Sequence, residues 1–171
     1  KGVDTDLFRI LRDAKRVASV RQAAAVSLGQ LRGGEVANTL SSLTREGSFS
    51  ERYFAVFGLI VTDLAEAAEA SANLLVQAPG QSDPVALVQA FTRKSGGSNA
   101  LTKALEGKKP HPKVVDQLAE YHRRTGQLPK SLERIFHTST PKSLSALLIK
   151  ENRKTLIADV ANLGDPVRGE N

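Results

Sequence analysis

The chain has 171 residues, of which 40% are hydrophobic and 25% charged, a composition that is ordinary for a globular protein. It has no cysteine, which excludes disulfides, cysteine-based metal sites and thiol catalysis within these residues. The formal net charge of +6 is unevenly placed: residues 1–92 carry 9 basic and 10 acidic side chains, whereas residues 93–171 carry 15 and 8. We therefore expect an anionic partner, if there is one, to meet the C-terminal half.

Apolar residues recur with helical periodicity nearly throughout the chain, and no strand-like alternation is evident. The first half predicts five helices, at residues 5–15, 20–31 and 35–45, after residue 48, and at residues 65–77. Ser19 is the predicted N-cap of the second helix, and Ser48 and Glu51 have the spacing of a capping box at the start of the fourth. That fourth helix is apolar almost all round, so we predict that it is the central buried helix.

A turn rich in proline and glycine at residues 79–84 is the best internal boundary. The second half then predicts helices that begin at Asp83-Pro84 and run to residue 92, and that cover residues 99–105, 113–124 and 131–137. A further helix is predicted to run from Thr140-Pro141 towards residue 150, with a kinked continuation to residue 163 as an alternative. The longest apolar run, residues 54–61, is far shorter than the ~20 residues that span a bilayer, so no transmembrane segment is predicted.

The last nine residues finish one helix and start another. Gly164 is a helix stop, and Asp165-Pro166 combines an N-cap residue with a proline suited to the first helical position. The few residues that follow are too short for a stable helix in isolation. Because the chain also lacks methionine, we expect it to be a piece of a longer polypeptide whose next domain begins at residues 165–171.

A weak internal repeat appears when the chain is shifted by 31 residues. Five positions then coincide with residues of the same type: Arg21, Ala24, Leu28, Glu35 and Leu43 fall on Arg52, Ala55, Leu59, Glu66 and Leu74. Residues 20–31 resemble the HEAT family, with Val-Arg followed by small residues and Ala-x-x-Leu-Gly-x-Leu. We predict an all-α, HEAT-like α-solenoid of about ten short helices, in which stacked antiparallel helix pairs bury their apolar faces against neighbours. Residues 1–78 form the HEAT-like repeats in this prediction, and residues 79–164 the C-terminal part of the same solenoid.

Few side chains suggest chemistry. The three histidines, His111, His122 and His137, lack the spacing of a zinc motif, and we interpret them as surface or helix-capping residues. Asp63, Glu66 and Glu69 line one side of a helix, where a solvated face is favoured over general acid–base catalysis. The glycine-containing loops at residues 95–98 and 107–108 lack the spacing of a phosphate-binding loop. We predict no catalytic residue, no cofactor-binding residue and no metal site here, and so no enzyme activity in these residues.

Basic residues cluster in the second half and are the candidate interaction surface. They could form a phosphate-binding stripe, or a docking surface for an acidic protein neighbour, which we favour because acidic residues intervene and aromatic residues are sparse. The seven residues are Lys108, Lys109, Lys113, Arg123, Arg124, Lys130 and Arg134.

From Asp83 onward the chain resembles a narrower family. Residues 87–91 with the following Gly-Gly loop, residues 100–109 and residues 164–170 are similar to the helical region of multidomain planctomycete and verrucomicrobial proteins, known as membrane-bound dehydrogenases or haem-binding-domain proteins. The resemblance implies an exported or periplasmic protein, with a sorbosone- or glucose-dehydrogenase-like propeller upstream and a cytochrome c domain, with its haem c, downstream. It places no haem ligand or catalytic residue on this chain.

The resemblance therefore implies a non-catalytic connector, or scaffold, that precedes a cytochrome c domain and whose partners are the neighbouring domains of the same polypeptide. Two alternatives stay open. One is a general HEAT-type protein–protein interaction module. The other, less favoured, is a nucleic-acid-binding HEAT-like protein that uses the basic C-terminal half.

Overall fold

A computed structural model describes residues 2–31, 33–80 and 82–138, and within these ranges the fold is all-α. The nine helices are α1 (Val3–Arg12), α2 (Ala18–Gln30), α3 (Gly34–Glu46), α4 (Phe49–Thr62), α5 (Leu64–Val76), α6 (Pro84–Thr92), α7 (Gly97–Leu105), α8 (Pro112–Thr125) and α9 (Lys130–Thr138). No strand occurs in the described ranges, which confirms the predicted all-α class. The helix predicted from Thr140 and the predicted domain border at residues 165–171 lie outside the described residues.

Helix α4 is the centre of the fold, as its sequence predicts. Every residue from Tyr53 to Ile60 is buried, and α4 packs against α1, α2, α3, α5 and α6. Its start is the predicted capping box: the Glu51 backbone N–H donates to Ser48 Oγ, and the Ser48 N–H donates to the Glu51 carboxylate at 2.9 Å. A helix that is apolar almost all round is stable in water only when neighbouring helices cover its faces. Five helices cover α4 in this way.

Helices α2 and α4 cross at two glycines. A Cβ at Gly29 would lie 2.4 Å from the Gly58 carbonyl oxygen, and a Cβ at Gly58 would lie 2.7 Å from the carbonyl oxygen of Ala25. Real Cβ atoms do not approach backbone oxygen so closely, so only glycine allows the two backbones to meet at this distance. This crossing joins the first helices to the central one.

The helices also pack in an alternating order along the chain. Helix α4 contacts α2 and α6, α5 contacts α7, α7 contacts α9, and α6 contacts α8. One continuous apolar core runs between these contacts, from Leu11 in α1 to Phe136 in α9. The residues that the 31-residue shift aligns lie at matching places of α2–α3 and α4–α5, and all three apolar pairs are buried.

Three predicted helix starts differ from the structure by two residues, and the other differences are of one residue. Helix α1 begins at Val3 and ends at Arg12, so Lys15 belongs to the loop. Helix α2 begins at Ala18 with Val17 as its N-cap, so the prediction of Ser19 as N-cap is wrong. Helix α7 begins at Gly97, two residues earlier than predicted, because Gly96 adopts a left-handed φ of 75° that turns the chain into the helix.

Within the described residues, none of the helices combines the length and the apolar character that crossing a membrane requires.

Candidate functional site

An open cleft of about 760 Å³ lies where the loop between α7 and α8 meets the ends of other helices. We call it the basic cleft. Its lining residues come from the end of α5, the end of α7, the connecting loop, the start of α8, and α9: Val76, Leu105, Glu106, Gly107, Lys108, Lys109, Pro110, His111, Pro112 and Ile135. Its apolar residues come from four different helices and the loop, while its lysines come from the loop alone.

The loop of the basic cleft is fastened to helix α5. The His111 backbone N–H donates to the Leu75 carbonyl oxygen at 2.9 Å. Lys108 Nζ donates to the Glu69 carboxylate at 2.8 Å and to Asn73 Oδ1 at 3.2 Å. These bonds span more than thirty residues of sequence, so they fix the position of the loop relative to α5 rather than merely its local shape.

His111 also starts helix α8. Its Nδ1 accepts the backbone N–H of Lys113 at 3.2 Å, and Pro112 occupies the first helical position. A ring nitrogen that accepts a hydrogen bond carries no proton, so this contact uses the neutral Nδ1 of His111. The histidine therefore has the capping role that its place between two prolines suggests, and it places the side chain of Lys113 on the first turn of α8.

The seven predicted basic residues fall into two groups at opposite ends of α8. Lys108, Lys109 and Lys113 lie at its start, and Arg123, Arg124 and Lys130 lie at its end or just beyond. Eleven residues of helix separate Lys113 from Arg124, about 16 Å along the axis. Arg134 lies further on, in α9. Lys108 and Lys109 thus line the basic cleft, Lys113 lies on the adjoining first turn of α8, and Arg123 and Arg124 lie at the far end of that helix.

Some of these cations have acidic partners and others do not. Lys108 pairs with Glu69, and Arg123 pairs with Glu120 one turn earlier on α8. Lys109 and Lys113 are exposed, and no carboxylate in the described ranges lies within ion-pair distance of either. Within the described ranges, therefore, the solvated ammonium group of Lys109 lies at the basic cleft and that of Lys113 on the adjoining turn of α8, while the Glu106 carboxylate also lines the cleft.

Acidic residues separate the two basic groups. Asp116 and Glu120 lie on α8 between Lys113 and Arg124, and together with Asp83 and Arg124 they line a second cleft of about 680 Å³. A phosphate backbone that followed α8 would pass these carboxylates, which repel it. The carboxylates therefore interrupt a continuous positive stripe along α8.

The three acidic residues considered for catalysis each have a structural partner. Asp63 is the N-cap of α5 and accepts the backbone N–H groups of Ala65 and Glu66 at 3.0 and 2.9 Å. The Glu66 carboxylate accepts a hydrogen bond from Ser41 Oγ, and that of Glu69 pairs with Lys108. Within the described ranges no group of three or more histidine or acidic side chains is arranged to hold a metal ion.

Sequence reasoning missed the apolar part of the basic cleft. Val76 is 39% exposed at the last residue of α5, and Ile135 is half-buried on α9. Both continue apolar patterns that predict core positions, so periodicity alone could not mark them as part of a surface. The sequence signal that could have marked Val76 as a surface residue is that it directly follows Leu74 and Leu75, which are both buried.

No family model, no curated protein and no solved structure matches this chain. The resemblances to the HEAT family and to the multidomain dehydrogenase family therefore stay predictions.

Proposed function

We propose that this chain is a non-catalytic helical scaffold that binds a protein partner, or a neighbouring domain of its own polypeptide, through the basic cleft. The observation that carries the proposal is the combination of an apolar floor, with Val76 and Ile135, and two ammonium groups, of Lys109 at its edge and of Lys113 beside it, that no carboxylate of the described residues pairs with. Apolar area supplies affinity in a protein interface, and charge at the rim supplies orientation and partner choice. An acidic segment with apolar anchors has the matching chemistry.

The proposal includes a HEAT-like solenoid as the architecture. Two features support it: the packing of alternate helices along the chain, and the coincidence of buried residues in α2–α3 with those in α4–α5. In a solenoid each unit contacts only its neighbours, and the stack presents extended surfaces to partners. The basic cleft would then be one such surface near the C-terminal end of the described helices.

We further propose that the scaffold serves as the connector of an exported dehydrogenase-like protein and precedes a cytochrome c domain. This narrower role is supported only by the resemblance of residues 87–91 with the following Gly-Gly loop, residues 100–109 and residues 164–170 to that family. Its test is the full reading frame that contains this chain. Expression in a host that attaches haem should yield a product with a covalent c-type haem spectrum, and a product without covalent haem would contradict the connector role.

The broader proposal is tested by the binding of acidic peptides. The probe is a fluorescent amphipathic peptide with leucine on one face and glutamate on the other, and its counterpart has lysine in place of every glutamate. We expect the glutamate peptide to bind the chain and the lysine peptide to bind at least tenfold more weakly. Lys109→Glu together with Lys113→Glu should reduce the affinity for the glutamate peptide about tenfold, because like charges then face each other.

Lys94→Glu is the matched control, since Lys94 is an exposed lysine at the opposite end of α7. Lys94→Glu should change the affinity for the glutamate peptide by no more than about twofold, because a distant charge is screened by salt. Equal losses in Lys94→Glu and in the cleft variant would show a nonspecific charge effect and would contradict the proposal. Tighter binding of random duplex DNA than of the glutamate peptide at low salt would favour the nucleic-acid alternative instead.

A further inference from the structure

A small pocket lies beside the loop between α1 and α2, far along the chain from the basic cleft. It holds about 160 Å³, room for about five water molecules at their liquid volume. Residues from this loop, from the first turns of α2 and α4, and from the α5–α6 connection line it: Ala14, Arg16, Ala18, Arg21, Phe49, Ser50, Tyr53, Phe54 and Ser82. The role proposed above uses none of them.

Arg21 is a buried cation on the wall of this pocket. Arg21 is 5% exposed. Its Nε donates to the Leu11 carbonyl oxygen at 2.7 Å, and its Nη1 donates to Ser50 Oγ at 2.8 Å. The guanidinium carbon lies 4.2 Å from the centre of the Phe54 ring. In the described part of the chain nothing accepts a hydrogen bond from Nη2, and no carboxylate lies within ion-pair distance of Arg21.

A buried charge without a counter-ion is unusual, because removing an ion from water is costly unless an opposite charge compensates. Burial lowers the pKa of Arg21 below its ordinary value, and the more distant carboxylates of Glu51 and Asp13 raise it in part. The two hydrogen bonds explain how Arg21 holds the end of α1 against α4, and the face of the Phe54 ring attracts its charge. Neither contact supplies a counter-ion.

The rest of the pocket adds donors of the same kind. Arg16 is a second guanidinium, with a side chain that is 61% exposed and a single ion pair, to Asp13 at 3.4 Å. Helix α2 starts at Ala18, with no acidic residue in its first turn and no side-chain cap contributed by the described residues. Its first N–H groups therefore add the positive end of a helix dipole. Ser50 contributes a hydroxyl group, whereas the Ser82 hydroxyl already donates its proton to the Pro79 carbonyl oxygen.

We propose that this pocket binds a small phosphate-class oxyanion. Two guanidinium groups, the N-terminus of a helix and the Ser50 hydroxyl offer more donors than the two oxygens of a carboxylate can use, whereas a tetrahedral dianion accepts from all of them. The anion would neutralise Arg21 and cap α2. It would also link the α1–α2 loop to α4, so a ligand here would stabilise the first helices of the chain against the central one.

The test is calorimetric titration of the whole 171-residue chain with inorganic phosphate at constant ionic strength, which removes general screening as a cause. We expect one saturable phosphate site per chain and a melting temperature that rises with the phosphate concentration. Acetate should bind at least tenfold more weakly than phosphate. Arg16→Gln should weaken the binding of phosphate about fivefold. Arg9→Gln is the matched control, because Arg9 has the same i,i+3 pairing, with Asp6 at 2.9 Å, but does not line the pocket.

Arg21→Gln should abolish binding, but this variant also loses the contact with Leu11 and can unfold. Arg16→Gln keeps the test decisive, since the Arg16 side chain is exposed and its ion pair among the described residues is the local one with Asp13. We expect this variant to lose phosphate affinity while its circular dichroism spectrum matches that of the unaltered chain. Absence of saturable phosphate binding at millimolar concentration overturns the proposal, and so does equal weakening by Arg16→Gln and Arg9→Gln. Binding of acetate as tight as that of phosphate overturns the phosphate class.

Discussion

Tyr53 shows how one side chain connects the central helix to the second half of the chain. Its residue is 5% exposed, and its hydroxyl donates to the Asp83 carbonyl oxygen at 2.9 Å. Asp83 is in turn the N-cap of α6, where its carboxylate accepts the N–H groups of Val85 and Ala86. The hydroxyl therefore supports the start of α6 from α4. Burial, and to a lesser extent the nearby charge of Asp83, raise the pKa of Tyr53 to about 12.

This raised pKa predicts a loss of stability in alkali. Between pH 10 and 12 the unfolded chain releases the Tyr53 proton while the folded chain keeps it, so unfolding becomes more favourable as the pH rises. The loss is on the order of 2 kcal/mol. Tyr53→Phe should be less stable than the unaltered chain by about 1 kcal/mol at neutral pH, where it lacks the hydrogen bond. The gap should shrink or reverse by pH 12, as measured by urea unfolding across the pH range.

Tyr121→Phe is the control for this pH series. Its hydroxyl bonds the Gln127 side chain at 2.9 Å near the surface. The free energy of unfolding of Tyr121→Phe should fall between pH 10 and 12 as that of the unaltered chain does, because lysine titration and general repulsion act on both proteins alike. If Tyr53→Phe also kept the same slope between pH 10 and 12 as the unaltered chain, the buried hydroxyl of Tyr53 would not be the source of the effect.

At the scale of elements, the crossing of α2 and α4 is the contact most dependent on residue size. Gly58→Ala would place its Cβ 2.7 Å from the Ala25 carbonyl oxygen and 2.8 Å from Leu40 Cδ1. The leucine can rotate, but the Ala25 backbone can move only if α2 shifts as a whole. We expect Gly58→Ala to lower the free energy of unfolding by about 1–3 kcal/mol, the usual cost of overpacking, as measured by chemical denaturation.

Gly34→Ala separates this packing effect from the intrinsic helix preference of alanine. Gly34 is the first residue of α3, and no described atom lies within 4 Å of a Cβ built there. Alanine should therefore be neutral or stabilise by up to about 1 kcal/mol at that position. A Gly58→Ala variant as stable as Gly34→Ala would mean that α2 and α4 do not cross at the described distance.

The elements themselves were largely predictable from sequence, because their signals are local. The spacing of Ser48 and Glu51 predicts the start of α4, and Asp83-Pro84 predicts the start of α6. The errors are also local: Val17 caps α2 without a side-chain acceptor, and the φ of Gly96 lets α7 start early. No propensity rule identifies Val17 as a cap, since valine has no side-chain group that could bond the helix N–H groups.

At the scale of the whole molecule, the basic cleft could be predicted only in part. The composition of residues 93–171 indicates a positive surface, and Lys108, Lys109 and Lys113 do lie together. The remaining cations lie elsewhere, because α8 places about 16 Å between its two ends. The contact of His111 with Leu75 and the presence of Ile135 in the cleft depend on tertiary packing across three helices. A single sequence holds no local signal for such long-range contacts.

The Arg21 pocket illustrates the same limit. The 31-residue shift aligns Arg21 with Arg52, and both guanidinium groups lie over phenylalanine rings, of Phe54 and Phe49 respectively. The sequence thus indicates a repeated arginine position in the helix pairs. It does not indicate that Arg21 meets Arg16 and Ser82 at a pocket, which again depends on how α1, α2 and α4 pack.

The central claim is that a partner binds at the basic cleft, and the most direct test is an NMR titration of the ¹⁵N-labelled chain with the glutamate–leucine peptide. We expect the shifts of backbone amides to concentrate in the α7–α8 loop from Glu106 to Lys113 and around Val76 and Ile135. The amides around Arg21 and those of the Asp116–Glu120 turn should stay in place. Shifts spread evenly over the chain, or centred on Arg124 and Lys130, would contradict the claim that this cleft is the docking surface.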